Sequence, residues 1–195
     1  MNNIIIIRGY YKNDEETEAA GLKDKSGWLR SGDIGMWTLN GQLSLIDRKK
    51  NLFKLSQGEY IAVEKVEGIL GQSSLVSQIF VYGDSAEDKL VAMVVLDEDA
   101  VKSWRLEGSK GEAGDKDLLK AAVLTQMKDT GRGLGLKGFE LVYSVTVEKI
   151  AWTPENGLLT PTMKLKREAL KGLYQSQIKA MYLQLKKEGS PNSRL

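Results

Sequence analysis

The chain has 195 residues, room for one domain, or for one domain and part of another, at about 100–200 residues each. Its 28 Lys or Arg against 26 Asp or Glu give a net charge of +2, too balanced for a protein that coats nucleic acid, and its 42% hydrophobic content can bury a core. It has neither Cys nor His, which excludes disulfides, Cys-based zinc sites and Ser/His or Cys/His nucleophile pairs. Chemistry is left to Lys, Arg, Asp, Glu, Tyr and backbone groups.

Taken in chain order, Ile4-Ile5-Ile6-Ile7 reads as a buried strand, too short to cross a bilayer, and no later apolar run reaches about 18 residues. No signal-peptide arrangement of charged, apolar and cleavage regions is visible. Asn13 or Asp14 is placed to cap a short acidic helix. Residues 36–39 and 42–47 flank Asn40-Gly41, the strongest hairpin signal in the chain. After the polar break Arg48-Lys49-Lys50-Asn51, residues 52–55 predict a strand and Ser56-Gln57-Gly58-Glu59 a turn. Val63, Val66, Ile69 and Leu70 then repeat with a helical period. Residues 76–83 and 90–96 predict an antiparallel pair and residues 97–107 a short helix. A Gly- and charge-rich loop over 108–114 leads into a helix over 115–130 that turns Leu118, Leu119, Ala122, Val123 and Met127 to one face. Residues 139–150 alternate as a strand, and 151–162 read as a loop. Residues 166–187 form one amphipathic helix with Leu170, Leu173, Tyr174, Ile178, Met181 and Leu185 inward, before a polar tail. Mixed helices and short antiparallel strands make the class α+β.

Taken singly, the polar motifs have plain readings. Gly133-Leu134-Gly135-Leu136-Lys137-Gly138 matches GxGxxG, but a helix precedes it and a strand follows. That is the reverse of the dinucleotide fingerprint, so it reads as a helix-to-strand connection. Arg48-Lys49-Lys50 with Lys54 reads as a solvated inter-domain turn, Asp33 as a turn residue, and Lys164 as the basic lead-in to a helix.

Three segments together carry more. Gly27-Trp28-Leu29-Arg30-Ser31-Gly32-Asp33-Ile34-Gly35, the run Ile46-Asp47-Arg48-Lys49-Lys50-Asn51-Leu52-Phe53-Lys54-Leu55-Ser56-Gln57-Gly58-Glu59-Tyr60-Ile61, and Glu155-Asn156-Gly157-Leu158-Leu159-Thr160-Pro161-Thr162-Met163-Lys164-Leu165-Lys166-Arg167 resemble the adenylate-forming superfamily, and within it the long-chain acyl-CoA synthetases (long-chain fatty acid–CoA ligases). They do so in the family's order and approximate spacing, from about Arg8 to the last helix. The resemblance implies that residues 1–49 are the distal end of the AMP-binding N-terminal domain, that 50–188 are a small α+β C-terminal lid with short antiparallel sheets packed by helices, and that 189–195 are a tail. The family's phosphate loop is not in the sequence, so the resemblance is to a C-terminal portion, inactive alone.

The implied reaction joins a fatty acid to CoA through acyl-AMP, consuming ATP, with Mg2+ in the complete enzyme. Asp33 and Arg48 then face the ribose and Lys50 is the hinge. Lys164 is the adenylation lysine, while Lys54 and Gly58 lie on the face used for thioester formation, Gly58 beside the pantetheine of CoA. No resident metal site and no nucleic-acid partner are implied. Ser31 stands for the family's usual Thr, Thr162-Met163 for a common Ser-Gly, and Val63 for a common Pro at a helix start. Ser193-Arg194-Leu195 resembles the Ser-Lys-Leu peroxisomal address, giving a cytoplasmic or peroxisomal expectation. The alternative is a short non-catalytic module. From residue 160 on there are eight Lys or Arg against two Asp or Glu, a charge suited to a membrane surface or to a partner such as a full-length enzyme.

Overall fold

The computed structural model describes residues 9–21, 31–106 and 116–188. The expected strand over 4–7, the start of the Gly27 motif, the loop over 108–114 and the terminal tripeptide lie outside these. The chain divides into two compact units, Met1–Asn51 and Leu52–Leu195.

The first unit holds α1 (Asp14–Ala19), β1 (Asp33–Trp37) and β2 (Leu43–Arg48). Asn13 caps α1, its Oδ1 accepting the Glu16 N–H at 3.0 Å. Strands β1 and β2 pair antiparallel around the Asn40-Gly41 turn, where Gly41 takes φ +73°, as this kind of hairpin demands. The first strand begins at Asp33 rather than 36, because its pairing runs back through Asp33↔Arg48.

The second unit begins with a hairpin of β3 (Leu52–Lys54) and β4 (Tyr60–Ala62), followed directly by α2 (Val63–Leu70). Then come β5 (Val76–Tyr82), β6 (Leu90–Leu96), α3 (Glu98–Leu106), α4 (Lys116–Gly133), β7 (Val142–Glu148), α5 (Arg167–Leu173) and α6 (Gln175–Glu188). The main sheet runs β5-β6-β7. Its β5–β6 pair is antiparallel, with Val81 opposite Ala92, but β7 joins β6 in parallel, with Val145 opposite Ala92. The sheet is therefore mixed, and the α3–α4 segment is the long crossover that parallel neighbours need.

The central strand, covered on both faces, explains the unbroken apolar run of β6. Leu90 to Val94 have no exposed surface. Alternation along the strands separates two cores. Val81, Ala92, Val94 and Val145 pack with Leu70, Val123 and Met127 of α2 and α4. Phe80, Val91, Met93 and Val95 pack with Trp152, Leu170, Ile178 and Met181.

Four local expectations are corrected. Residues 138–140 form a 3-10 turn before β7, where Glu140 caps back onto the Lys137 N–H at 2.9 Å. The last helix is two helices broken at Tyr174, whose hydroxyl is engaged elsewhere. Leu173, expected inward, faces solvent at that break, and so does Leu118 in the first turn of α4. The GxGxxG stretch is, as expected, a helix-to-strand connection, and it carries the stop of α4. Leu136 N–H bonds back to Gly131 O at 2.8 Å, and Gly135 takes φ +83°, the left-handed residue that ends many helices.

Candidate functional site

In the first unit, Asp33 and Arg48 are cross-strand partners at the end of the β1–β2 hairpin. Arg48 Nε lies 3.7 Å from Asp33 Oδ1. An exposed pair of this kind adds about 0–1 kcal/mol, so its effect is orientation: two polar side chains of opposite sign held side by side. Buried Asp47 braces the strand end beneath them, accepting the Arg48 N–H at 2.6 Å and an Asn51 amide N–H at 3.3 Å. Lys50 is exposed on the 3-10 turn Lys49–Asn51, which closes this unit.

In the second unit, the β3–β4 turn is tightened by Leu55 N–H to Glu59 O at 2.8 Å and Gly58 N–H to Leu55 O at 2.9 Å. Gly58 takes φ +97°, a conformation open to glycine at little cost. A Cβ placed there would lie 3.7 Å from Lys54 Cε, so the lysine stem runs past the bare glycine. The Lys54 ammonium is 5.6 Å from the Tyr60 ring centroid, within cation–π range. Leu55 anchors the hairpin in the core.

Lys164 sits on a second turn. Thr160 N–H donates to Lys164 O at 2.8 Å, and Lys164 N–H donates to Thr160 Oγ1 at 3.1 Å. Met163 closes the turn at φ +61°, left-handed backbone that non-glycine residues rarely adopt. Leu159, buried, bridges to Leu165 across the turn. The Lys164 side chain is exposed and enters no ion pair among the described residues.

Both ends of this loop are fixed by side chains. At its start, Trp152 exchanges two hydrogen bonds with the Gln78 amide of β5, at 2.7 and 2.9 Å. Its indole N–H donates to the Tyr174 hydroxyl at 2.8 Å, which in turn donates to Glu148 at 3.0 Å. Burial alone would raise the Glu148 pKa, but the Ile150 and Lys149 N–H groups and the Tyr174 hydroxyl together hold it below its ordinary value. Tyr174 is pushed up to about 12, chiefly by burial. At the loop's end, Arg167 pairs with Glu67 of α2, which also accepts the Val81 N–H at 2.8 Å. Burial pushes Glu67 from 4.5 up to about 7, against the pull of Arg167.

The expected residues thus fall into three places. Asp33 and Arg48 meet in the first unit, with Lys50 just beyond them. Lys54 and Gly58 meet at one hairpin of the second unit, and Lys164 stands on a turn of its own there. Glu67, Trp152 and Tyr174 had not been singled out as site residues. Glu67 did leave a signal: a charge on the apolar stripe Val63, Val66, Leu70 of α2. Among the described residues, no three His, Cys, Asp or Glu side chains converge to hold a metal ion, and no helix is long and apolar enough to cross a membrane.

No protein-family model matches the chain. It is 47% identical over 186 residues to the peroxisomal long chain acyl-CoA synthetase 6 of Arabidopsis thaliana, covering 93% of this chain and 26% of that protein. It is 45% identical over 181 residues to long-chain-fatty-acid–CoA ligase 5 of Mus musculus, covering 91% of this chain and 26% of that one. Among solved structures, the A domain of the carboxylic acid reductase from Segniliparus rugosus, in complex with AMP and a co-purified carboxylic acid, matches with a TM-score of 0.77 at 34% identity, over 92% of this chain and 27% of that one. Over most of its length the chain is a homologue of the long-chain acyl-CoA synthetases, of which it spans 26%, and its fold is that found in adenylate-forming enzymes.

Proposed function

We propose that this chain supplies the lid, and the adjoining end of the nucleotide-binding domain, of a long-chain fatty acid–CoA ligase. The observation that carries the reading is Lys164. It is an exposed lysine on a turn fixed at both ends, in a sequence 47% identical to a long chain acyl-CoA synthetase.

In the first half-reaction a fatty acid carboxylate oxygen attacks the α-phosphorus of ATP, and pyrophosphate leaves. Charge grows on the phosphoryl oxygens and on the departing pyrophosphate. A fixed ammonium from Lys164 stabilises that charge without reorganising. Asp33, an acceptor when ionised, takes the ribose hydroxyl donors, with Arg48 beside it. In the complete enzyme magnesium would accompany the ATP phosphates. In the second half-reaction the CoA sulfur attacks the acyl carbon, AMP leaves and the thiol proton is lost. Lys54 and Gly58 serve there: Gly58 leaves room for the pantetheine, and Lys54 lies alongside it. Lys50, on the turn that closes the first unit, absorbs the backbone rotation between the two steps. The location in this reading is cytoplasmic or peroxisomal, the latter if Ser193-Arg194-Leu195 serves as a peroxisomal address.

The test exchanges this chain for the matching segment of the Arabidopsis synthetase and follows fatty-acid-dependent pyrophosphate release and thioester formation. An active chimera supports the reading. A folded chimera that binds ATP but performs neither step contradicts it and favours a non-catalytic module. The chain alone is expected to release no pyrophosphate, because the family's phosphate loop is absent from its sequence.

A further inference from the structure

The Lys164 turn is short, and its lysine is held by no partner of its own among the described residues. The position of the ammonium therefore follows from the backbone beneath it. Arg167 lies three residues on, at the first residue of α5, within about 10 Å along an extended chain. Its guanidinium reaches the Glu67 carboxylate and lies 5.8 Å from the Phe80 ring centroid. The Glu67 side chain is 10% exposed and that of Arg167 22%. One carboxylate thus joins α2, through its own helix, β5, through the Val81 N–H at 2.8 Å, and the residue that follows the lysine turn. Lys166 N–H to Leu158 O at 2.9 Å continues the clasp from Arg167 into the turn.

We propose that Glu67 and Arg167 are a positioning pair that holds the Thr160–Lys164 turn against the α2–β5 core, so that Lys164 is presented in one geometry. This rests on reading Lys164 as the adenylation lysine. A buried charge pair is a poor way to gain stability, since apolar groups of the same size do as well or better. What it adds is direction: a planar guanidinium on a carboxylate fixes one arrangement of the strands and helices it joins.

The groups facing Glu67 are Arg167 from α5, Glu64 from its own helix and the Val81 N–H from β5. Protonation of Glu67 weakens the clasp on Arg167, so the turn loosens as pH falls through about 7.

The experiment follows hydrogen exchange of the Thr160 and Lys164 amides in the full 195-residue chain, corrected for intrinsic rates, with β6 amides as reference. Arg167→Met is expected to speed exchange of both turn amides about tenfold or more while β6 is unchanged. Arg167→Lys, the gentler variant, should give a smaller loss of the same kind. In the unaltered chain, protection of the turn should fall from pH 8 to pH 6, and Glu67→Gln should remove that dependence. In the chimera with the Arabidopsis synthetase, Arg167→Lys should lower the adenylation rate at saturating substrate while sparing reaction of supplied acyl-AMP with CoA. The proposal is overturned if the turn amides keep their protection in both Arg167 variants. It is equally overturned if Lys164→Ala stops adenylation while Arg167→Lys loosens the turn without slowing it. If Lys164→Ala leaves adenylation intact but the amides respond as expected, the pair positions the turn and it is the reading of Lys164 that fails.

Discussion

Two exposed lysines of the second unit are carried by turns of opposite construction. The Lys54 hairpin is a backbone device. Two strands of three residues close through a glycine at φ +97°, and the tip is steadied by Ser56 N–H to Glu87 O and Gln57 to Asp88 O, both at 3.1 Å. The Lys164 turn is a side-chain device. It has a methionine where the backbone turns left-handed, and Trp152 and Arg167 pin the two ends. The first holds its shape by conformational permission, the second by anchors that outweigh local strain. Substitutions should therefore act on one turn or the other, according to which support they remove.

The largest effect is expected at Trp152, the most deeply anchored residue of the Lys164 loop. It is 1% exposed, so Trp152→Ala should cost about 3–5 kcal/mol in urea unfolding. The Lys54 hairpin should keep its amide protection in the fraction that stays folded. Equal loss at both turns would erase the distinction.

Next in size is a pH effect of Glu67 on global stability, measured against the unfolded chain and so distinct from the local loosening of the Lys164 turn. Glu67 rises from 4.5 to about 7 in the folded chain. Between those values the folded state holds a proton that the unfolded chain has released. Stability should fall as pH rises through this window and level off above it, by on the order of 3 kcal/mol. Glu67→Gln should flatten the slope, and a slope unchanged by Glu67→Gln would assign it to other groups.

Smaller effects come from the backbone. Gly58→Ala has room for its methyl group, 3.7 Å from Lys54 Cε, but not the conformation, and should lose about 1–2 kcal/mol. Met163→Gly should do the opposite, relieving the left-handed strain at φ +61° for a net gain of about 0.5–1 kcal/mol, once the extra entropy that glycine gives the unfolded chain, and that folding must remove, is subtracted. Thermal unfolding of the two variants, compared at one pH, checks the pair. A stabilised Gly58→Ala together with a destabilised Met163→Gly would reverse the comparison.

Much of this was legible in the sequence. Asn40-Gly41 marked the first hairpin, Gly58 the second turn, and the apolar stripes of α2 and α6 their buried faces. Element order came through because each of these signals is local. What escaped depends on residues far apart in the chain. The parallel pairing of β7 needs the whole α3–α4 crossover to be seen in space. The break at Tyr174 comes just after Gly172, where the tyrosine hydroxyl is held between Trp152 and Glu148, 22 and 26 residues away. Glu67 showed only as a charge on an apolar stripe, with its partner 100 residues on. The positive φ of Met163 left no compositional trace, since methionine has no preference for that conformation.

The most direct test of the account follows the two half-reactions separately in the chimera with the Arabidopsis synthetase. Lys164→Ala is predicted to slow acyl-AMP formation by about 2–4 kcal/mol of lost charge stabilisation and to leave the reaction of supplied acyl-AMP with CoA largely intact, with Lys54→Ala doing the reverse. If Lys164→Ala slowed both halves equally, the two turns would not divide the chemistry, and the central claim would be contradicted.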